Sequence, residues 1–401
     1  MATEKKPYEA IVIGGGHNGL VNGAYLAKGG LKTLILERRH LVGGAAITEE
    51  LYPGFNFTTF SYALSLIRPD IIHDLDLVRH GLMVLHMPTT LAPMDNGDYL
   101  NLGADHHANY HEIARHSKAD AEAYDDYKTM LYKVCQAVKP LFDRIPPDLF
   151  SEEPEEVARL ASVGKHLRSV EPKTLHMLTR FLTGSSAEIL DDYFESDIVK
   201  GLLSSSSIIG SKVGPRSQGS GLVLLFHKMG EVDGAFGDWG FHKGGNGGFT
   251  QVLARAAEAH GADIVKNAGV SQVITKNGEA VGVVLENGDE HYAGIVVSAL
   301  DPRHTFLNLV EPRELPTDLV DNIRKYKFQG VSAKVNFALD GLPEYPALPG
   351  QADIYRGFIN IAPSIDYIER AFDEAKYGDF SRRPYIDGCI QSTLDPDLTP
   401  P

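Results

Sequence analysis

Short apolar runs and helix-spaced apolar positions follow one another in blocks along this chain, and the blocks predict most of its elements. Ala10–Ile13 is apolar throughout and reads as a short strand. A glycine-rich turn follows, then helix over Leu20–Lys28, then a second apolar strand over Lys32–Leu36 closed by Glu37. Together they read as a βαβ unit. Residues 51–103 are irregular in pattern, with one strand expected at Met83–Leu85. Residues 106–208 turn helical. Tyr124, Tyr127, Met130, Leu131, Val134 and Val138 recur at spacings of three and four, so 119–141 is expected as one helix, followed by helices over 157–167, 172–182 and 187–203.

Beyond residue 200 the pattern becomes glycine-rich. Residues 201–250 hold 13 of the 40 glycines. Leu222–Phe226 and Trp239 are poor linker residues, so close backbone packing under a flat ligand or along a channel explains the density better than a flexible linker. Gly244-Gly245-Asn246-Gly247-Gly248 opens a helix over 249–259. Short strands are expected at 263–265, 270–275, 280–285, 290–293 and 295–298. Asn277-Gly278 and Asn287-Gly288 supply turn residues favoured by two-residue hairpins. Segments 332–340 and 354–361 read as strands, with a helix over 364–376 before a last strand at 386–393.

Composition places these elements in a soluble enzyme. A chain of 401 residues exceeds one ordinary core and calls for two intertwined domains, since single cores stop growing near ~250–300 residues. The net charge of −15 argues against nucleic acid or an anionic membrane surface as a general partner. No run of 18 apolar residues exists, so no transmembrane segment is expected. The first strand begins near residue 9, which leaves no room for a signal or transit peptide, and a cytoplasmic location is the simplest account. The composition leaves room for a homo-oligomer.

The turn between the first strand and helix carries the chemistry. Gly14, Gly16 and Gly19 spell G-x-G-x-x-G. In such a turn the first glycine permits the sharp bend, the second admits a pyrophosphate to the backbone, and the third lets the helix lie on the sheet, where its free N–H groups attract phosphate. Gly23 eases that packing further. Glu37 ends the second strand where a carboxylate can accept the adenosine ribose hydroxyls, and it would repel a 2′-phosphate, so NADP is disfavoured despite Arg38 and Arg39. Gly43-Gly44-Ala45 offers a second close backbone approach soon afterwards, which suits the longer FAD better than NAD.

Several strings make the sequence recognisable: GGGHNGLVNGAYLAKGGLKTLILERRHLVGGAAITEELYPGF, then Ser61–Pro69, Gly219–Leu225, Trp239-Gly240, Gly244–Gly248, Val297–Pro302 and Ser392–Pro396. On these the chain resembles the phytoene-desaturase-like FAD oxidoreductases, in a branch named for pyridine nucleotide-disulphide oxidoreductase domains. The resemblance covers essentially the whole length. It implies an α/β architecture, in which a Rossmann-like FAD-binding domain is interleaved with a substrate domain of mixed sheet and helical cap. The expected division is 1–105 and 244–310 for FAD, 106–243 for the cap, and 311–401 for the substrate-domain sheet. The resemblance also implies His17, Asn18, Arg38, Arg39 and Ala45 in the cofactor site, the Val270 backbone at the adenine edge, and Ser298 along the dinucleotide. Members of the family continue past the position of Pro401 into another glycine-rich flavin-binding stretch, so a fragment is expected.

Cys135 and Cys389 are the only cysteines and no C-x-x-C occurs, so dithiol chemistry is not expected. No second G-x-G-x-x-G marks an NAD(P)H domain. An apolar or amphipathic organic substrate, isoprenoid-like by resemblance, would then reduce the flavin. The competing readings are a carotenoid desaturase or ketolase and a non-catalytic flavoprotein that acts through partner proteins. No catalytic residue is assigned. His227, Lys228 and His242 are weak candidates, Arg68 lies in a family string, and His106, His107 and His111 read as a solvated polar face rather than a metal site.

Overall fold

The computed structural model describes residues 8–400. Its dinucleotide-binding half is built on four parallel strands. β1 (Ala10–Ile13) leads through α1 (His17–Lys28) to β2 (Thr33–Leu36). Far along the chain, after α2 (Lys118–Phe142) and α3 (Asn246–Ala259), β3 (Asp263–Val265) and β4 (Ile295–Ser298) complete the sheet in the order β3-β2-β1-β4. Ala10 is in register with Thr33 and with Ile295, and Ile13 with Leu36 and with Ser298.

The uniformly apolar strands have the two-sided burial their composition requires. Val12 and Ile35 pack with Leu20, Ala24 and Leu253 of α1 and α3. Ile11, Ile13, Leu34 and Leu36 pack on the opposite face, against Val270, Val273, Val283 and Leu285. The second group belongs to an antiparallel meander of Val270–Lys276, Glu279–Leu285 and Glu290–Tyr292. Its first turn is the expected two-residue hairpin, with positive φ at Asn277 and Gly278. The second is longer. There Asn287 is not in the positive-φ region, and its side-chain oxygen accepts the Asp289 N–H at 3.0 Å.

The other half pairs a second sheet with the helical block. The strands run in the order Ile386–Cys389, Phe358–Ile361, Thr89–Pro93, Tyr99–Gly103. Residues 89–103 therefore leave the dinucleotide-binding part to which the sequence assigned them. They form strands where an irregular stretch was expected, because their partner lies some 270 residues downstream. The strand expected at 83–85 is Val84–His86, paired with Gly240–His242.

The helical block forms as expected, with one division. Residues 187–203 form two helices, Ser186–Asp191 and Asp197–Ser204. The break occurs where the buried carboxylate of Asp120, on α2, accepts the N–H groups of Glu195 and Ser196 at 2.8 and 2.9 Å. Leu222–Phe226 is helical too, within Ser220–His227. Tyr127, Val134, Phe181, Ile189 and Leu224 from these helices share one core.

Three expected strands change, and that over 354–361 starts only at Phe358, after a 3₁₀ turn at Ala352–Tyr355. Residues 332–340 join no ladder among the described residues, and Val335, Phe337 and Leu339 are exposed. Their alternating pattern suits a strand, but extended backbone needs a neighbour to satisfy it. The last strand stops at Cys389, and Gln391–Thr393 turns as a 3₁₀ segment.

Candidate active site

At the end of β1 the chain turns through Gly14, at φ +98°, into α1, which starts at His17, three residues before the expected Leu20. A Cβ on Gly19 would lie 1.9 Å from the Gly14 carbonyl oxygen, so only glycine closes this turn. The N-terminus of α1 has no side-chain cap and no acidic residue in its first turn. Its leading N–H groups have no intrahelical partners and present a partial positive charge. His17 and Asn18 are exposed on that first turn.

The second glycine loop lies directly on the first. Gly43 N–H donates to the Gly15 carbonyl at 2.9 Å, and Gly16 and Gly43 form a parallel bridge. Gly44 approaches so closely that a Cβ there would sit 3.1 Å from Gly16 Cα. Ala45 and Ala46 extend the loop; Ala46 carbonyl accepts the Thr250 hydroxyl of α3 at 3.1 Å. Two bare backbones and an open helix end thus form a cradle that fits a pyrophosphate. A cleft of about 390 Å³ opens beside this loop, lined by Val42, Thr48, Gly247, Gln251 and Leu398.

Glu37 is 8% exposed and turned toward the cradle. Oε2 accepts Gly15 N–H at 2.8 Å and Oε1 accepts Arg39 N–H at 2.9 Å, so the carboxylate braces the glycine-rich turn. The guanidinium groups beside it are engaged elsewhere. Arg38 pairs with Glu286 at 2.9 Å, and Arg39 grips both oxygens of Glu49 at 2.9 and 3.0 Å. Neither is left to hold a 2′-phosphate, and only the Arg39 main chain touches the acid. Ala268 N–H donates to the Glu37 carbonyl at 2.8 Å, which brings the start of the Val270 strand alongside. Ser298 ends β4 next to the cradle: Ala299 N–H bonds the Ile13 carbonyl at 2.9 Å, while the Ser298 hydroxyl shares a 2.7 Å hydrogen bond with Thr305.

A second constellation, which no motif announced apart from Tyr62 within a family string, adjoins the cradle. Ser61 N–H donates to Ala45 carbonyl at 2.9 Å, and the next residue, Tyr62, donates its hydroxyl to Asp387 of the second sheet. Asn360 Nδ2 donates to the other Asp387 oxygen at 2.7 Å. Burial raises the Asp387 pKa from its ordinary value, against the hydrogen bonds from Tyr62 and Asn360. Lys334 donates to Thr58 carbonyl with its ammonium 5.5 Å from the centre of the Tyr62 ring, and burial lowers its pKa. Phe358 meets the edges of Tyr62 and Trp239, each at 6.3 Å, and Trp239 stacks on His227 at 6.1 Å. The Tyr385 hydroxyl is sealed from solvent, and no atom among the described residues meets it in hydrogen-bond geometry. One signal was readable in advance: Asp387 and Cys389 alternate along a strand, so their side chains share one face.

The histidine candidates have structural partners. His227 Nδ1 faces its own helix carbonyl at Val223, 2.9 Å away. His242 is buried, with Nε2 3.1 Å from Gly81 carbonyl and Nδ1 on Lys243 carbonyl. Burial lowers the pKa of both, and of Lys228. Arg68 pairs with Asp70 and Asp143. His107 and His111 touch at 3.1 Å on an exposed helix, where His106 pairs with Asp125 at 3.1 Å. Cys135 and Cys389 are free, and burial pushes both thiols up to about 12.

The sequence pattern described as "Flavin containing amine oxidoreductase" matches residues 19–358. The chain belongs to this family. Mouse pyridine nucleotide-disulfide oxidoreductase domain-containing protein 2 is 36% identical over 422 residues, 99% of this chain and 72% of the mouse protein. A limonene dehydrogenase subunit of Castellaniella defragrans is 27% identical, over 78% of this chain and 55% of that protein. Among solved structures, wild-type putrescine oxidase bound to putrescine aligns at a TM-score of 0.50 and 19% identity, over 79% of this chain and 63% of that one; it speaks for the fold alone. The family is one of FAD-dependent oxidoreductases, and FAD is the cofactor that the cradle fits.

Proposed function

We propose that this oxidoreductase takes hydride from an apolar or amphipathic organic substrate. Gly14, Gly16, His17, Asn18 and Gly19 would bind the pyrophosphate from one side and Gly43, Gly44 and Ala45 from the other. Glu37 would hold the ribose, the Val270 backbone the adenine, and Ser298 the run between them. Bound FAD supplies a two-electron acceptor. The chain's part is to orient the donor carbon, exclude water, and hold a proton where the donor carries one.

A single observation carries this reading. The wall made by Tyr62, Phe358, Trp239 and His227 joins the second glycine loop through one hydrogen bond, Ser61 to Ala45. Such a wall suits an apolar body better than a charged one. Limonene in the name of one relative and putrescine bound to a structural neighbour mark the two extremes to compare. The test is anaerobic bleaching of the flavin bands by limonene, octan-1-ol and putrescine. Reduction by either apolar donor and not by putrescine is expected; reduction by putrescine alone would replace this reading with amine oxidation.

A further inference from the structure

Asp387 holds two neutral donors, Tyr62 and Asn360, and no cation pairs with it among the described residues. The unpartnered hydroxyl of Tyr385 stands close enough that Asp387 and Tyr62 both raise its pKa. Ser205 is the neighbouring hydroxyl that lowers it, and its own proton goes to the Leu202 carbonyl at 2.7 Å. Sealed polar groups without partners are uncommon in native folds, and where they persist a ligand, ion or water commonly completes them. Tyr62, Tyr385 and Asp387 are each partly covered as residues, while the Tyr385 hydroxyl itself is sealed. The surrounding wall is aromatic, from Phe358 and Trp239.

Charge narrows what could complete this cluster. A ligand cation would meet the Lys334 ammonium over the Tyr62 ring. A ligand anion would meet the Asp387 carboxyl. A neutral hydroxyl avoids both, and its one proton and two lone pairs match what is on offer. It can donate to Asp387 and accept from Tyr385, giving that hydroxyl the partner it lacks.

We propose that Asp387, Tyr385 and Tyr62 form a subsite for the hydroxyl of an otherwise apolar, alcohol-type substrate. The inference rests on the apolar-substrate reading above and specifies its polar end. The subsite adjoins the cofactor cradle because Tyr62 follows Ser61, whose N–H bonds Ala45.

The test titrates octan-1-ol and n-octane separately into the FAD-loaded protein and follows the perturbation of the visible flavin bands. Wild type is expected to bind octan-1-ol at least tenfold more tightly than n-octane. Tyr385→Phe, which keeps the ring and removes only the hydroxyl, should cut that preference at least fivefold with n-octane affinity unchanged. Asp387→Asn should do the same. A wild type without preference, or a preference kept intact in Tyr385→Phe, overturns the subsite alone. A wild type that binds neither compound overturns the apolar-substrate reading, and the subsite falls with it. If Asp387→Asn does not fold, Tyr385→Phe decides the question.

Discussion

The two sheets of this protein present opposite relations between sequence and site. The parallel sheet builds its cradle from residues 13–44, one βαβ unit and the loop that follows it, and its acid, glycines and helix end lie close together along the chain. The second sheet builds its polar cluster from Tyr62, Lys334, Asn360, Tyr385 and Asp387, joined only when Phe358–Ile361 pairs with Thr89–Pro93 on one side and Ile386–Cys389 on the other. A dinucleotide is recognised largely by backbone groups at a turn, which local sequence dictates. A substrate is recognised by side chains converging from several segments, and this fold gathers them over more than 300 residues.

The comparison predicts a descending series of effects. Gly19→Val should be the most damaging, because its Cβ would overlap the Gly14 carbonyl oxygen at 1.9 Å. Destabilisation of about 3 kcal/mol or more, with complete loss of flavin, is expected from thermal melts and absorption spectra. Normal flavin content would mean that the turn adopts another geometry.

Gly16→Val and Glu37→Arg should abolish flavin retention yet leave a folded chain by circular dichroism. The first fills the cradle. The second strips the Gly15 and Arg39 N–H groups of their acceptor, at about 1–3 kcal/mol each. Full flavin occupancy in both would refute the site.

The second sheet should respond to pH instead. Asp387 has its folded pKa raised, so it contributes stability below the ordinary carboxylate value, ~3.9, and loses it as pH rises through the folded value. The Tm advantage of wild type over Asp387→Asn should therefore shrink from acid to neutral pH. A difference that stays flat would show that Asp387 titrates alike in the folded and unfolded chain.

Surface and thiol changes close the series. Arg38→Ala breaks an ion pair whose members are both more than half exposed, so stability should change by no more than about 0.5 kcal/mol. Cys389→Ala should leave the rate of flavin reoxidation unaltered, and a slowed rate would reopen thiol chemistry.

What could be read in advance follows the same division. The βαβ unit, the meander and the helices of the cap were legible because each shows its period within a few residues. The split of 187–203 was not, since it depends on Asp120 reaching in from α2. The strand expected at 332–340 was misread for the converse reason: its alternation is genuine, but a ladder also requires a neighbour. The histidines that looked like chemistry proved to be held by backbone carbonyls, which spacing cannot show.

By itself, then, the sequence determined the dinucleotide turn, the acid that braces it and the kind of cofactor it suits, because backbone conformation at glycine and helix ends is a local property. Tertiary structure alone decided that residues 89–103 join the far sheet, that Tyr62 meets Asp387, and that Tyr385 is left without a partner. Those outcomes depend on which distant segments bury one another, and pairing across hundreds of residues leaves no period in the chain.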